Sequence, residues 1–168
     1  MKIRLIHEDE CDILAQITLR AYRALNGTQP IGRYEEELLA VDRRRRDSEV
    51  YVAVDDDGRV LGGVTYVPGP QHAMAEFHDP DACGIRMLAV DPGAQGRGVG
   101  RALVTTCIER ANEQHRARII LHSAPPMTRA QSMYVRMGFS RASELDEWFR
   151  EDSDHDELLH LTAYVYNS

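Results

Sequence analysis

The 168-residue sequence predicts an α/β fold over a single domain spanning residues 1–168, with a mixed, mostly antiparallel sheet flanked by helices. Three observations predict it. Apolar runs short enough for strands alternate with segments of helical periodicity. Two neighbouring runs are joined by an Asp-Gly turn, which is typical of an antiparallel hairpin. A strand, a glycine-rich loop, a helix and another strand then follow in order, and the crossover rule makes these last two strands parallel.

Short apolar runs bounded by turn residues predict the strands. They lie at residues 3–6, 50–54, 60–67, 84–90, 119–122, from 139 onward, and 158–166. The runs at 50–54 and 60–67 are expected to pair antiparallel across an Asp-Gly turn, and those at 84–90 and 119–122 to pair in parallel. Residues 68–83 form an unusually long connection for a hairpin, and residues 146–157 form an acidic loop between the last two strands.

Helical periodicity predicts four helices, at residues 12–26, 34–46, 99–111 and 128–137. Asp12 and Thr128 are the expected N-caps, and Gly138 is expected to stop the last helix. Residues 29–32 are interpreted as a loop. The arginines at 43–46 are interpreted as a solvated helix end, where positive charge suits the helix dipole.

Composition excludes several classes of protein. The formal net charge is −7 and the isoelectric point about 5.5, so no general nucleic-acid-binding surface is expected. Three widely separated cysteines predict neither a disulfide framework nor a thiolate zinc site. The first residues lack the apolar core of a signal peptide, and no run of 18 apolar residues occurs. A cytoplasmic protein without a membrane partner is therefore expected.

The segment from residue 87 to residue 101 carries the main functional signal. Its glycines are Gly96, Gly98 and Gly100. They stand before and within the first turn of a helix starting near Val99, where unpaired amides and the helix dipole favour an anion, and Arg97 and Arg101 add positive charge. The predicted ligand is a phosphate or pyrophosphate. A nucleoside-triphosphate loop is excluded because there is no Lys-Ser or Lys-Thr pair, and a dinucleotide fingerprint because Arg101 replaces its third glycine.

Two motifs, in the proper order, resemble the GCN5-related N-acetyltransferase (GNAT) family. Its pyrophosphate-binding signature, Gln/Arg-x-x-Gly-x-Gly/Ala, is met by Gln95, Gly98 and Gly100. A second motif, Ala-x-x-x-Tyr-x-x-x-Gly-Phe, is met downstream by Ala130, Tyr134, Gly138 and Phe139. The resemblance implies a GNAT-like sheet whose parallel strands splay apart next to the CoA-binding loop. It also implies acetyl-CoA as cosubstrate and a primary amine of a small molecule or protein as acceptor.

The resemblance further implies roles for individual residues. Tyr134 matches a family tyrosine proposed to protonate the departing thiolate, which suits a hydroxyl that stays protonated near neutral pH. Backbone groups of the strand before the loop, and the loop itself, are implied to hold the cofactor: Leu88, Ala89, Val90, Gln95, Gly96, Arg97, Gly98, Val99, Gly100 and Arg101. No metal ion is expected.

The general base is less well defined. Many relatives carry a glutamate at the position that matches Gly84, and glycine cannot remove a proton. The remaining candidates lie in the long connection before this strand, namely Glu76, His78, Asp79 and Asp81, or there is no protein base at all. Glu76 is our choice. Met127 is a second departure, because it falls near a position where relatives often carry asparagine.

The sequence thus predicts an acetyl-CoA-dependent N-acetyltransferase in which the amine attacks the thioester directly. The alternative is a non-catalytic acyl-CoA-binding sensor or interaction module of the same fold, which Gly84 keeps open. Tyr22 and Tyr34 are candidates for lining the acceptor pocket. The sequence does not identify the acceptor. It does not define the oligomeric state either, and a homodimer is one possible state.

Overall fold

A computed structural model of the chain describes residues 1–26, 34–150 and 158–168. Its main elements, in chain order, are β1 (Lys2–Leu5), α1 (Cys11–Asn26), α2 (Tyr34–Leu39), α3 (Val41–Asp47), β2 (Glu49–Val54), β3 (Val60–Val67), β4 (Ala82–Val90), α4 (Val99–Glu113), β5 (Arg118–Ser123), α5 (Thr128–Arg136), β6 (Ser140–Arg141), β7 (Glu147–Arg150) and β8 (Leu158–Asn167). The loop expected at residues 29–32 and the acidic residues 151–157 lie outside the described residues.

The strands form a mixed sheet in the order β1-β2-β3-β4-β5-β8-β6, and β7 also pairs with β8. Adjacent strands run antiparallel except β4 and β5, whose parallel register runs from Ala82↔Arg118 to Ile85↔Leu121. The predicted mixed, mostly antiparallel sheet with one parallel pair is therefore confirmed. α4 is the crossover that makes this pair parallel.

Helices cover both faces of the sheet. Alternate residues of a strand point to opposite faces, and in β2 Val50 and Val52 pack with α1 residues such as Leu14, whereas Tyr51 and Ala53 pack in the cluster that contains α4. α4 contributes Leu103, Val104, Cys107 and Ala111 to that second cluster, all fully buried. No helix among the described residues is long and apolar enough to cross a membrane.

Several predicted boundaries were wrong. The helix expected over 34–46 is broken at Ala40, whose ψ of 47° leaves the helical region and separates α2 from α3. Asp12 lies in the first turn of α1 and does not cap it, because the 3₁₀ turn Glu8–Glu10 runs directly into the helix. Thr128 is the first residue of α5, and Met127 holds the cap position.

The last part of the sheet also differs from the expectation. Two final strands were predicted, and the described residues contain three. Residues 147–150, expected to be part of an acidic loop, pair antiparallel with β8 as β7. The sequence signal failed here because the order Glu-Trp-Phe-Arg does not alternate apolar and polar residues, which is the pattern that usually indicates a half-buried strand.

The arginine run at 43–46 is not uniformly solvated. Arg43 and Arg46 are exposed, but Arg44 is only 2% exposed. Val41 and Arg44 are three residues apart on α3 and share its buried side, which packs on β2. The periodicity of α3 therefore places one of the four arginines, Arg44, in the protein interior.

Candidate active site

A bulge distorts β4 beside the glycine loop. Met87 has a φ of 51°, and the register with β3 jumps from Gly63↔Ala89 to Thr65↔Arg86. Positive φ is strained for a residue with a side chain, and bulges commonly redirect a strand next to a functional site. Parallel pairing with β5 ends at Ile85↔Leu121, although β4 continues to Val90. The end of β4 that holds Leu88, Ala89 and Val90 is thus unpaired on its β5 side, as a splayed strand pair requires.

Asp91 fixes the start of the glycine loop. Its Oδ2 accepts a hydrogen bond from Arg20 Nη2 at 2.8 Å, and its Oδ1 accepts one from the Gly93 amide at 2.9 Å. Arg20 and the Gly93 amide hold the pKa of this carboxyl below its usual range. Ala94 is buried in the cluster that contains α4. The loop is therefore tied to α1 through Asp91 and to the core through Ala94.

Two glycines of the loop have a backbone conformation that other residues rarely adopt. Gly96 and Gly98 have φ values of 78° and 79°. A Cβ atom on either residue would meet no atom within 4 Å, so conformation and not crowding requires glycine here. Residues 95–98 are exposed, and the loop backbone is open to a ligand.

The N-terminus of α4 presents free amides next to this loop. The first helical hydrogen bond runs from the Ala102 amide to the Gly98 carbonyl at 3.0 Å, which leaves the amides of Val99, Gly100 and Arg101 without intrahelical partners. Arg97 and Arg101 are exposed, and neither lies within salt-bridge distance of a carboxylate in the described part of the chain. This end of α4 therefore combines unpaired donors, a helix dipole and two available cations.

Gly100 differs from the other two glycines because it faces the splayed strand. A Cβ at position 100 would lie 3.6 Å from Val90 Cγ2, 3.7 Å from Met133 Sδ and 3.9 Å from Leu88 Cδ2. These are ordinary van der Waals distances. Gly100 therefore marks where the loop, β4 and α5 come together.

Tyr134 lies on the buried side of α5. The side chain is 6% exposed, and its ring centroid lies 5.7 Å from that of Phe139 and 6.2 Å from that of Tyr164. Burial, with a smaller contribution from Cys107, raises the pKa of Tyr134 well above its ordinary value. The hydroxyl therefore keeps its proton at neutral pH. It forms no hydrogen bond with another described residue.

Glu76 is held by Arg86 and His122, two side chains that carry no predicted role in the sequence. Its Oε1 lies 2.5 Å from Arg86 Nη2, and its Oε2 lies 3.3 Å from His122 Nδ1. The other ring nitrogen of His122 is 2.9 Å from the Leu145 carbonyl. Burial opposes a charge on His122, but Glu76 and the Leu145 carbonyl outweigh it and raise the pKa of the imidazole. Arg86 had a sequence signal, because it is a lone charge inside an apolar strand.

The remaining candidates for the base lie elsewhere. Asp79 Oδ2 is 3.1 Å from Arg118 Nε, and Asp79 Oδ1 accepts a hydrogen bond from the Asp81 amide. Both residues therefore lie near the start of β5, at the end of β4 opposite to the glycine loop. His78 is exposed. Within the described ranges, no group of three His, Cys, Asp or Glu side chains is arranged to hold a metal ion.

Comparison with known proteins agrees with this geometry. The model of the acetyltransferase (GNAT) family matches residues 12–139. The mycothiol acetyltransferase of Beutenbergia cavernae is 30% identical over 129 residues, which cover 71% of this chain and 40% of that protein. An uncharacterized N-acetyltransferase of Methanocaldococcus jannaschii is 23% identical over 88% of this chain and 64% of that protein. The chain thus spans less than two thirds of the length of these curated relatives.

Solved structures show the same fold. Ribosomal-protein-alanine N-acetyltransferase from Brucella melitensis has a TM-score of 0.73 over 100% of both chains at 20% identity. The structure of yncA from Salmonella typhimurium with its cofactor acetyl-CoA has a TM-score of 0.70 at 17% identity, over 99% of this chain and 93% of that one. With the family model spanning both motifs and the fold shared over nearly the whole chain, this protein belongs to the GNAT family of acetyltransferases.

Proposed function

We propose that this protein transfers the acetyl group of acetyl-CoA to a primary amine. The observation that carries the proposal is the position of the open N-terminus of α4 beside the unpaired end of β4. One offers free amides and cations that suit a pyrophosphate, and the other offers unpaired backbone groups that suit an extended chain of amides. A CoA molecule has these two parts in the same order.

In this proposal the loop and the first turn of α4 bind the pyrophosphate. Gly96 and Gly98 hold the loop open, the amides of Val99, Gly100 and Arg101 donate to phosphate oxygens, and Gln95 and Arg97 lie at the rim. The backbone of Leu88, Ala89 and Val90 binds the pantetheine arm and the thioester carbonyl. Tight binding of the pyrophosphate half of CoA positions its thioester half, so that binding energy is used to orient the reacting groups.

Tyr134 is the proposed acid. A tyrosine hydroxyl is protonated over the physiological range, so it has a proton to give to the departing thiolate, although burial raises the pKa of Tyr134 and makes it a weaker acid. As the amine nitrogen bonds to the acetyl carbon, the carbon–sulfur bond breaks and negative charge builds up on the sulfur. The sulfur then accepts the tyrosine proton more readily than it does in the intact thioester. The same hydroxyl lacks a partner among the described residues, which leaves it available.

Glu76 remains the proposed base. Arg86 and His122 hold its carboxylate in place, and in this proposal the carboxylate accepts a proton from the incoming ammonium directly or through water. Both oxygens of this carboxylate already have partners within the protein, and one of these contacts must open before the carboxylate can take a proton. We therefore expect Glu76 to contribute less to the rate than Tyr134.

A thiol-release assay tests the proposal. Purified protein is mixed with acetyl-CoA and a panel of polyamines, aminoglycosides, amino acids and peptides, and free CoA thiol is measured. All three cysteines of the chain are buried, so the protein contributes little background. Tyr134→Phe is expected to slow release by about 100-fold or more, the usual size of a lost general acid, without weakening CoA binding.

Tyr164→Phe is the matched control, because its ring packs on Tyr134 and loses the same hydroxyl. It should leave the rate within about twofold of wild type, since it removes no acid. CoA-dependent thermal stabilisation without thiol release from any acceptor would favour the sensor alternative. Equal rates for Tyr134→Phe and wild type would remove Tyr134 from the mechanism.

A further inference from the structure

Arg20 of α1 forms an ion pair with Asp91, the residue that directly follows β4. The two residues are 71 positions apart in the chain, and Arg20 Nη2 donates to Asp91 Oδ2 at 2.8 Å. Asp91 is only 9% exposed, whereas the side chain of Arg20 is 52% exposed. Since α1 and α4 cover opposite faces of the sheet, this ion pair connects a helix on one face to the loop that leads into the helix on the other face.

The backbone of Asp91 is fixed by its neighbours in the sheet and in the loop. Its amide donates to the Leu61 carbonyl of β3 at 2.8 Å, and its carbonyl accepts from the Ala94 amide at 2.8 Å. Pro92, which follows in the 3₁₀ turn Pro92–Ala94, has a fixed φ. The carboxylate is less constrained by the covalent structure, because the χ2 torsion of aspartate is broad. Side-chain contacts must therefore set its orientation.

Arg20 orients this carboxylate for its contact with the loop. While Arg20 binds Oδ2, the other oxygen, Oδ1, accepts a hydrogen bond from the Gly93 amide at 2.9 Å. The hydrogen bond from Arg20 is also the largest cause that lowers the pKa of Asp91, and an ionised carboxylate is a stronger acceptor for an amide than a neutral one. Arg20 thus stabilises the turn at Asp91 and Gly93 through the carboxylate.

The loop beyond this turn depends on its anchors for order. Ala94 is buried, but residues 95–98 are exposed. Gly96 and Gly98 lie in this exposed stretch, and glycine loses more backbone freedom on ordering than any other residue. A site that is only partly populated in its binding conformation has its apparent affinity reduced by that fraction. A weaker anchor at Asp91 is therefore expected to reduce affinity for a ligand of the loop.

A second arginine near Asp91 separates orientation from charge. Arg20, Arg59 and Asp91 line one groove of about 420 Å³ between α1 and the start of β3. Arg59 is exposed, its side chain forms no hydrogen bond with Asp91, and it lowers the pKa of Asp91 less than Arg20 does. Both arginines thus place positive charge near the start of the glycine loop, but of the two only Arg20 orients the carboxylate.

We propose that Arg20 is a positioning residue for CoA, which acts through Asp91 to hold the glycine loop in the conformation that binds the pyrophosphate. The inference rests on the proposed binding of CoA by this loop and deepens it by assigning a role to a residue of α1. Arg20 contacts neither the cofactor nor the reacting atoms. Its loss therefore raises KM for acetyl-CoA and leaves kcat at saturating acetyl-CoA unchanged.

Calorimetry with CoA on single variants tests the role of Arg20. Arg20→Gln should weaken CoA binding by about three- to tenfold, because a charge-assisted hydrogen bond is lost while water replaces part of it at a half-exposed side chain. Arg20→Lys keeps the charge and a donor, and should bind CoA more tightly than Arg20→Gln. Arg59→Gln removes the same charge from the same groove and should stay within about twofold of wild type. Equal losses in Arg20→Gln and Arg59→Gln would overturn the proposal.

A double-mutant cycle tests whether Arg20 acts through Asp91. Asp91→Asn loses the charge and one of the two acceptor oxygens, so it should weaken CoA binding by itself. Adding Arg20→Gln to Asp91→Asn should then weaken binding by less than about twofold more, because the two residues act as one unit. A full, independent loss from Arg20→Gln in the Asp91→Asn background would overturn the route through Asp91.

The outcomes separate this inference from a merely structural role and from acetyl transfer itself. A lower melting temperature of Arg20→Gln, with unchanged CoA affinity of the folded protein and unchanged KM for acetyl-CoA, would overturn the positioning role. Weaker CoA binding by Arg20→Gln, in a protein that releases no thiol with any acceptor, would support Arg20 and contradict the proposed activity. Wild-type protein that binds no CoA would contradict both.

Discussion

Gly84 of β4 lies directly against the ring of Phe77. A Cβ atom on Gly84 would be 2.7 Å from Phe77 Cε1, a distance that real Cβ contacts do not reach. Phe77 comes from the long connection between β3 and β4 and is buried with Leu38, Met87 and Ile120. The position at which the family resemblance implies a glutamate is thus covered by an aromatic ring, and this contact gives a physical reason for glycine at position 84.

We expect Gly84→Ala to destabilise the fold through this contact. Overpacking a well-filled site costs about 1–3 kcal/mol of the free energy of unfolding. In a Phe77→Leu background the same change should cost less, because the ring atom nearest to position 84 is gone. Urea denaturation of the four proteins gives the coupling energy, and an equal cost in both backgrounds would contradict the contact.

The glycine loop and Tyr134 could be predicted from the sequence because their signals are local. Glycine at positions 96 and 98 predicts a positive φ, and glycine at position 138 predicts the end of α5. These predictions do not depend on contacts with other parts of the chain. The ion-pair cluster could not be predicted in this way. Glu76, Arg86 and His122 come together only because β4 and β5 pair in parallel, and periodicity does not report which side chains meet across strands.

Arg44 shows the second limit of sequence reasoning. A run of four arginines is usually a solvated helix end, and for Arg43 and Arg46 that expectation describes the structure. The break at Ala40 starts a new helix at Val41, and this start sets which arginine turns inward.

His122 should titrate above the ordinary histidine value. Its pKa is raised in the folded state, so the stability it contributes is fully present below pH ~6.5, the unfolded value, and is lost as pH rises through the folded value. Glu76→Gln removes one of the interactions that raise it and is expected to lower the His122 midpoint. NMR titration of the imidazole protons measures the shift.

Glu144→Gln is the control for this titration, because Glu144 is exposed and lies near Leu145. The same loss of one negative charge there should leave the His122 midpoint nearly unchanged. If Glu76→Gln and Glu144→Gln gave equal shifts, the pairing of Glu76 with His122 would be wrong.

Arg97 and Arg101 should strengthen CoA binding mainly by electrostatics. Both are exposed, so each is expected to contribute about 0.2–1 kcal/mol, and the double change to glutamine should weaken binding by a few-fold up to about 30-fold. The loss should shrink in high salt because exposed charges are screened. Calorimetry at two salt concentrations measures it, with Arg136→Gln, an exposed arginine in the last turn of α5, as the control. An affinity loss that ignores salt would count against direct charge contacts.

Gly98→Leu places a side chain beside the backbone amides at the start of α4, which in our proposal bind the diphosphate of CoA. Gly58 is the matched control, because it has a φ of 81° against 79° for Gly98 and both have open space around a Cβ. Leucine should therefore strain either site by a similar amount, about 1–2 kcal/mol, which thermal unfolding of both variants checks.

The deciding measurement is the dissociation constant of CoA for folded Gly98→Leu and Gly58→Leu protein. We predict that Gly98→Leu weakens binding at least tenfold, because its side chain occupies the space in front of the amides, and that Gly58→Leu binds as wild type does. Unchanged affinity in folded Gly98→Leu, or an equal loss in both variants, would show that these amides do not bind the diphosphate.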